Sequence, residues 1–221
     1  MFTLEEIVII CSGSSGGHAK LIIDALEKAN RKIKGIIDNQ RQPGERLYGY
    51  EVLGDEEYVK RNSIDTGIVG IGDNWKRKQA VKRVKEINPF FKFTVVIHPY
   101  TSIARGVTIG EGTVVMAGAI INSDAQIGEH CIVNTKSSIA HDCEIGDYVS
   151  ISPSATLGGN VLVGVGSTVA MGANVIHAVT IGQHTVIGAG STVLDDIEDY
   201  KVAYGTPAKA VKVRKEFDKY L

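Results

Sequence analysis

The sequence predicts a small α/β unit with a parallel sheet, followed by an all-β solenoid of six-residue repeats. Two observations carry the prediction. Up to Pro99, short apolar runs alternate with amphipathic stretches, the rhythm of strands and helices in turn. From Ile103 to Val193 an aliphatic residue recurs at every sixth position, through Ile109, Val115, Ile121 and onward without a miss. Four residues after each comes a small or β-branched side chain, such as Thr113, Ala119, Ala125 and Cys131. Gly often follows the aliphatic residue directly, as at Gly110, Gly128 and Gly146. A period of six fits neither the α-helical 3.6 nor the strand alternation of two. It fits a triangular coil in which each hexad gives one short strand and one corner. The aliphatic residue points inward, the small one fills the remaining interior, and Gly is expected to supply the backbone conformation of the turn.

In the first unit, Ile7–Ile10 reads as a buried strand, followed by a Gly/Ser-rich loop and a helix over about Ala19 to Ala29. Lys32–Ile37 reads as a second strand ending at Asp38, and Glu56–Arg61 as a short helix. Gly67–Ile71 is a strand ending in Gly72-Asp73-Asn74, Trp75–Ile87 a helix, and Phe93–Ile97 a last strand before His98-Pro99. This alternation predicts a doubly wound parallel sheet. Beyond Val193 the chain is expected to leave the prism and end in a basic, helical tail.

Composition narrows the class of function. The 221 residues are 43% hydrophobic with a net charge of −1, a balance that points to neither nucleic acid nor a membrane surface. The run Ile7 to Cys11 is too short for a signal peptide or a membrane span. Cys11, Cys131 and Cys143 are odd in number and lack a CxxC spacing, and two of them fall on interior positions of the repeat. Buried, reduced thiols in a cytoplasmic protein are the expectation.

Three groups of residues suggest chemistry. The loop Gly13 to Gly17, including Ser14, Ser15 and Gly16, lies between a strand and a helix, where amides and the helix dipole favour phosphate. His18 follows it. Asp38, with Asn39 beside it, ends the next strand and is placed to accept from a ribose or base, and Gly72 would line the same crevice. The basic helix of Lys76, Arg77, Lys78, Lys82, Arg83 and Lys85 reads mainly as a solvated face, with Arg77 the one candidate for a phosphate contact. In the solenoid, residues eighteen apart stack from coil to coil, so Arg105, Ser123, His141, Gly159, His177 and Asp195 form one column. His141 has Asp142 beside it and Asn134 one corner earlier, a polar cluster that packing does not explain. Asp142 could fix the tautomer of a His141 general base. A metal is not expected: His141 and His177 stand two coils apart, about 9.6 Å at the usual strand spacing.

With Gly16-Gly17-His18-Ala19-Lys20, Asp38, Gly72-Asp73-Asn74, Ile97-His98-Pro99, Asn134-Thr135, His141-Asp142-Cys143, Leu157-Gly158-Gly159-Asn160 and Gly205-Thr206-Pro207-Ala208-Lys209 in this order, the chain resembles the bacterial sugar O-/N-acyltransferases of the sialic acid O-acetyltransferase type. The resemblance spans nearly the whole length. It implies a Rossmann-like domain over residues 1–97 that holds the nucleotide of a sugar, a left-handed parallel β-helix over 98–197 and a tail over 198–221. It implies a homotrimer with acetyl-CoA between neighbouring prisms. His141 falls on the family's base, Asp142 on its supporting acid, Asn134 on a polar residue near the base, and Gly159 on the backbone donor to the oxyanion. Met171 and Ala189 match backbone contacts of the coenzyme. Ser150 stands where many relatives place a second His near the thioester. The glycine loop is one residue longer than usual, and Asp38-Asn39 replaces a pair of acids.

The expected activity is therefore acetyl transfer to the amine of a nucleotide-linked 4-amino-4,6-dideoxy sugar. O-acetylation of a sialic acid or a related sugar is the alternative within the same chemistry. A non-catalytic trimeric scaffold that binds nucleotide sugars is the alternative outside it.

Overall fold

The protein, described here by a computed structural model over residues 6–13 and 17–218, forms two compact units that divide between Pro99 and Tyr100. In the first, the apolar run near the N terminus becomes strand β1 (Glu6–Cys11), the centre of a six-stranded sheet. Ile7, Val8, Ile9 and Ile10 are fully buried, as both faces of a parallel sheet require. Helix α1 (Gly17–Lys28) buries Ala19, Ile22, Ile23 and Leu26, a stripe at helical spacing. Strand β2 (Lys32–Asp38) pairs parallel with β1, placing Asp38 opposite Cys11.

The segment after β2 forms a hairpin that the sequence reading does not contain, β3 (Arg46–Leu47) and β4 (Tyr50–Gly54). Its turn, Tyr48-Gly49, has φ values of 49° and 86°, the left-handed pair that a tight hairpin needs. Tyr rarely adopts that conformation, so the sequence carries none of the usual Asn-Gly or Asp-Gly signal. Helix α2 (Glu57–Arg61), strand β5 (Thr66–Val69), helix α3 (Asn74–Ile87) and strand β6 (Lys92–Phe93) follow. The expected strand Phe93–Ile97 is split at Thr94 into β6 and a second piece, Val96–Ile97. The sheet order is β3-β4-β2-β1-β5-β6. The chain thus winds outward from β1 through β2 to β4, then returns to the other side of β1. The carboxyl ends of β1 and β5 form the switch point where such sheets bind ligands.

The second unit is the solenoid. Two-residue strands stack in three parallel sheets, each residue facing the one eighteen positions on, as Ile121 faces Ile139 and Ile127 faces Ile145. One sheet runs from Val114–Val115 through Ser150–Ile151 to Val186–Ile187, a second from Ser102–Ile103 through Ser138–Ile139 to Thr192–Val193, and a third from Thr108–Ile109 through Glu144–Ile145 to Thr180–Ile181. The sixth-position aliphatics and the small residues between them form one continuous core. All three cysteines are buried and free.

The glycines serve a different purpose from the one expected. The left-handed residue of each corner is the third after the aliphatic. Gly106, Gly112, Asp124, His130, Asp142, Tyr148 and Asn160 all hold it at φ between 54° and 80°. Gly directly after the aliphatic does not have positive φ. It is required because the next coil passes so close: a Cβ on Gly110 would lie 2.6 Å from the Gly128 carbonyl carbon, and one on Gly146 would lie 2.9 Å from the Val165 nitrogen.

The end of the chain also differs. The chain stays on the prism after Val193, with a last coil two residues shorter: Ile197 bridges Ile181, and Val202 and Ala203 pair with Val186 and Ile187. The expected helical tail is instead a strand, Ala208–Val213, antiparallel to Lys201–Gly205. Alternating Ala and Val among its lysines suits a strand better than a helix. No helix among the described residues is long and apolar enough to cross a membrane.

These two glycine classes predict opposite responses to substitution. Gly190, at φ 67° with nothing within 4 Å of a built Cβ, should lose about 1–2 kcal/mol as Gly190→Ala and recover part of it as Gly190→Asn, because Asn tolerates the left-handed region. Gly110→Asn should be worse than Gly110→Ala, because there space is limiting. Urea unfolding of the four variants checks the ordering.

Candidate active site

At the switch point of the first unit lies a cavity of about 160 Å³, lined by Ser12, Gly13, His18, Gly72, Asp73 and Lys76 among others. The amino ends of α1 and α3 border it, since Gly17 opens the first helix and Asp73 caps the second by accepting from the Lys76 amide at 2.8 Å. His18 Nε2 is buried without a hydrogen-bond partner. Burial, reinforced by Arg77, pulls the imidazole down to about 3, so His18 is neutral at physiological pH. Cys11 borders the cavity too, but burial and the adjacent Asp38 push its thiol up to about 12, so it is no nucleophile. Gly70 keeps β5 against α1: a Cβ there would lie 3.1 Å from the Ala19 Cβ.

Two residues expected at this ligand site serve the protein itself. Asp38 is 1% exposed. Its Oδ1 accepts from the amides of Gly13 at 3.3 Å and Gln40 at 2.9 Å, and Oδ2 faces Arg41 at 3.5 Å. It is an anchor of the glycine loop and not an exposed acceptor for ribose. Arg77 is also 1% exposed, neither on a solvated face nor reaching for phosphate. Its guanidinium donates to the Ile71 and Gly72 carbonyls at 3.1 and 2.9 Å and to Asn74 Oδ1 at 2.9 Å, shaping the cavity wall. The cation that does line the cavity is Lys76, one position earlier. The apolar stripe of α3, Ala80, Val81 and Val84, points to this when extended back to 77, because a residue on that stripe faces inward. Asn39 lines a separate cavity of about 520 Å³ with Asp55, Glu56, Lys60 and Arg83. Ser14, Ser15 and Gly16 lie outside the described residues.

In the solenoid, His141 and Asp142 occupy the corner after Ser138–Ile139, both more than half exposed. The left-handed backbone of Asp142, φ 57°, brings its carboxylate to His141, with Nδ1 and Oδ2 2.7 Å apart. A carboxylate only accepts, so Nδ1 carries the proton and Nε2 keeps its lone pair. Gly159 lies in the next coil directly under the ring: a Cβ there would be 2.6 Å from Nε2. Stacking of the column is visible in the bonds from Asn160 N to His141 O and from Ala178 N to Gly159 O.

The Gly159 amide is set apart by its burial. At two other corners the equivalent amide is capped by an aspartate of the following coil, Glu129 N by Asp147 and Gln183 N by Asp199. Above Gly159 the corresponding residue is His177, exposed and followed by Ala178. Gly159 is buried, yet its N–H meets no acceptor among the described residues. Buried amides without partners are rare in folded proteins.

The remaining expected residues sit elsewhere. Asn134, Met171 and Ala189 are on the corner at the opposite edge of the 138–139 sheet from His141. Asn134 Oδ1 accepts from the Thr135 amide at 2.8 Å, while Met171, at 61% exposure, and Ala189 stand outside. Ser150 lies within the third side of the prism, 6% exposed, and within one chain it reaches neither corner.

A sheet with this switch-point cavity and a hexapeptide prism with a His–Asp corner define a class, the two-part hexapeptide transferases, and comparison with known proteins agrees. Residues 6–84 match the PglD N-terminal domain and residues 124–159 the bacterial transferase hexapeptide (six repeats). The chain is 34% identical to a histidine-to-asparagine mutant of perosamine N-acetyltransferase from Caulobacter crescentus, solved in complex with CoA and GDP-perosamine. The likeness covers 93% of this chain and 97% of that one with a TM-score of 0.86. It is 29% identical to the acetyltransferase domain of PglB from Neisseria gonorrhoeae in complex with acetyl coenzyme A, over 95% of this chain and all of that one, with a TM-score of 0.84. An uncharacterized protein, L142, of Acanthamoeba polyphaga mimivirus is 30% identical over 125 residues, 55% of this chain, and the match spans only 23% of that protein's length. The chain belongs to the bacterial sugar acyltransferases that join a PglD-type domain to a left-handed hexapeptide β-helix, and it is an acetyltransferase.

Because the native state holds His18 neutral while an unfolded chain protonates near pH 6.5, acidification favours the unfolded state. Stability of the first unit should therefore fall as pH drops from about 6.5 toward 3. In His18→Asn this acid limb should flatten, as followed by urea midpoints at pH 7, 5 and 4.

Proposed function

We propose that the protein transfers the acetyl group of acetyl-CoA to the amine of a nucleotide-linked amino sugar of the 4-amino-4,6-dideoxy type. The observation that carries this reading is the His141 corner: a base with its tautomer set by Asp142, directly over a buried amide that nothing else uses. As the sugar amine forms a bond to the thioester carbon, His141 Nε2 takes its proton, and the charge on the carbonyl oxygen meets the Gly159 N–H. The C–S bond then breaks, and the proton passes to the departing sulfur. Cys143 is protonated and interior, so a direct transfer with a ternary complex suits the site better than an acyl-enzyme.

The placement of Asn134, Met171 and Ala189 on one edge of a sheet and of His141 and Gly159 on the other supports a homotrimer with acetyl-CoA held between prisms. The polar switch-point cavity at the amino ends of two helices supports nucleotide binding in residues 1–97, with Lys76 and the neutral His18 facing the diphosphate. The two relatives that bind CoA or its acetyl form are N-acetyl and acetyltransferases, and the first binds an amino sugar, which favours an amine over a hydroxyl acceptor. Three reduced thiols fit a cytoplasmic location.

Thiol release with acetyl-CoA and a panel of UDP-, GDP- and dTDP-linked amino sugars tests the function. Release with at least one is expected, and release only with sialic acid would transfer the reading to O-acetylation. His141→Ala should lower kcat by about 10²–10⁴ with the fold retained, while His177→Ala should cost well under tenfold. Lys76→Ala and Asp38→Ala should both weaken nucleotide-sugar binding by calorimetry without changing acetyl-CoA affinity, the first by losing a contact and the second by loosening the loop.

A further inference from the structure

The interior of the prism contains a repeated device. Wherever a small interior residue is polar at the start of a strand in the 114–187 sheet, it reaches outward to a corner carbonyl of the next coil. Thr113 donates to Gly128 O at 2.8 Å, Cys131 to Gly146 O at 3.1 Å, Ser167 to Gly182 O at 2.6 Å and Thr185 to Glu198 O at 2.7 Å. The interior column behind the His141 corner is different. It reads Val107, Ala125, Cys143, Val161 and Val179, all apolar except in the coil of His141 itself. There the Cys143 thiol donates to the Gly158 carbonyl at 3.1 Å.

That carbonyl shares its peptide with the Gly159 amide. A trans peptide is planar, with C=O and N–H pointing in opposite directions. A bond from inside the prism that holds the Gly158 oxygen inward therefore turns the Gly159 N–H outward, toward the side where His141 stands. The rest of the local frame is tied as well: Gly158 N donates to Val175 O at 2.9 Å, and Gly159 O accepts from Ala178 N at 2.8 Å. Between two glycines this peptide has the least side-chain restraint of any in the coil, so its orientation depends on such ties.

We infer that Cys143 is a positioning residue for acetyl transfer, its thiol fixing the Gly158–Gly159 peptide so that the Gly159 amide faces the developing oxyanion. The inference rests on the role proposed above for Gly159. Burial raises the pKa of the thiol, which keeps its proton available for donation. The alternative is that Cys143 only fills interior space, as Ala125 and Val161 do in the same column.

Val and Thr have the same shape, and both already occupy interior positions of this prism, Val161 in this column and Thr113 and Thr185 in the other. Only Thr can donate. Cys143→Val should lower kcat about tenfold, a fraction of the 10²–10³ that loss of an oxyanion donor costs, with KM for acetyl-CoA within twofold of wild type. Cys143→Thr should retain kcat within about twofold. Amide exchange of a peptide spanning Gly158 to Asn160 should be faster in the Val variant than in the Thr variant. As a control, Thr113→Val breaks the same kind of bond far from His141 and should leave kcat unchanged. Equal kcat in the Val and Thr variants, whether full or reduced, would overturn the inference. A wild type that releases no thiol with any amino sugar would instead overturn the proposed function, and the exchange rates would then decide alone whether Cys143 holds the peptide.

Discussion

Everything in the second unit depends on how closely its coils approach. At the corners, backbone meets backbone, and a single Cβ on Gly110 or Gly146 would already collide with the coil beyond. This contact fixes the eighteen-residue register, and the register converts sequence distance into columns of touching residues. Gly159 lies under His141 for that reason alone. The same closeness leaves no room for a water layer between coils, so a corner amide or carbonyl that is buried needs a partner from the coil above or below. Asp147 and Asp199 supply one kind, and interior hydroxyls and thiols supply the other. The Gly159 amide is buried and has no such partner among the described residues.

The first unit spends its charges differently. Asp38, expected to meet a ribose or base, and Arg77, expected mainly on a solvated face, are turned inward to hold the glycine loop and the 71–74 turn. A buried charge of this sort is costly unless compensated: Asp38 has two amide donors on Oδ1 and the Arg41 guanidinium 3.5 Å from Oδ2, and Arg77 donates to two carbonyls and Asn74. What they gain is a preorganised cavity whose wall is set before a ligand arrives. Among the described residues the charged lining of that cavity is Asp73 and Lys76, beside the neutral His18.

Much of this was legible in the sequence, for definite reasons. Period-six aliphatics could specify only a triangular coil, and β1, α1, β2 and α3 were marked by stripes and end signals of the right period. His141 and Asp142 stood out because a polar pair on an Ile/Val/Gly framework has no packing role. What stayed hidden required side-chain direction. Asp38 reads identically whether its carboxylate faces a ribose or the Gly13 amide. The β3–β4 hairpin turns through Tyr48, a residue with no turn preference. Gly110 and its equivalents looked like turn glycines, since sequence cannot separate a need for positive φ from a lack of space. Asn134, one corner earlier, reads as part of a polar cluster with His141, but within one chain the two stand on opposite edges of a sheet, with Met171 and Ala189 on the Asn134 side.

The last coil, two residues short, tips the final strand out of the eighteen-residue register, and an antiparallel strand then folds over it. A regular solenoid ends in open, repeating hydrogen-bond donors and acceptors, a surface on which another copy can grow as a filament. Here the strand Ala208–Val213 pairs antiparallel with Lys201–Gly205 at that end of one of the three sheets, and it presents Lys209 and Lys212 along its length. A lysine-bearing strand set against the direction of the coils is a poor template for a further coil on that sheet.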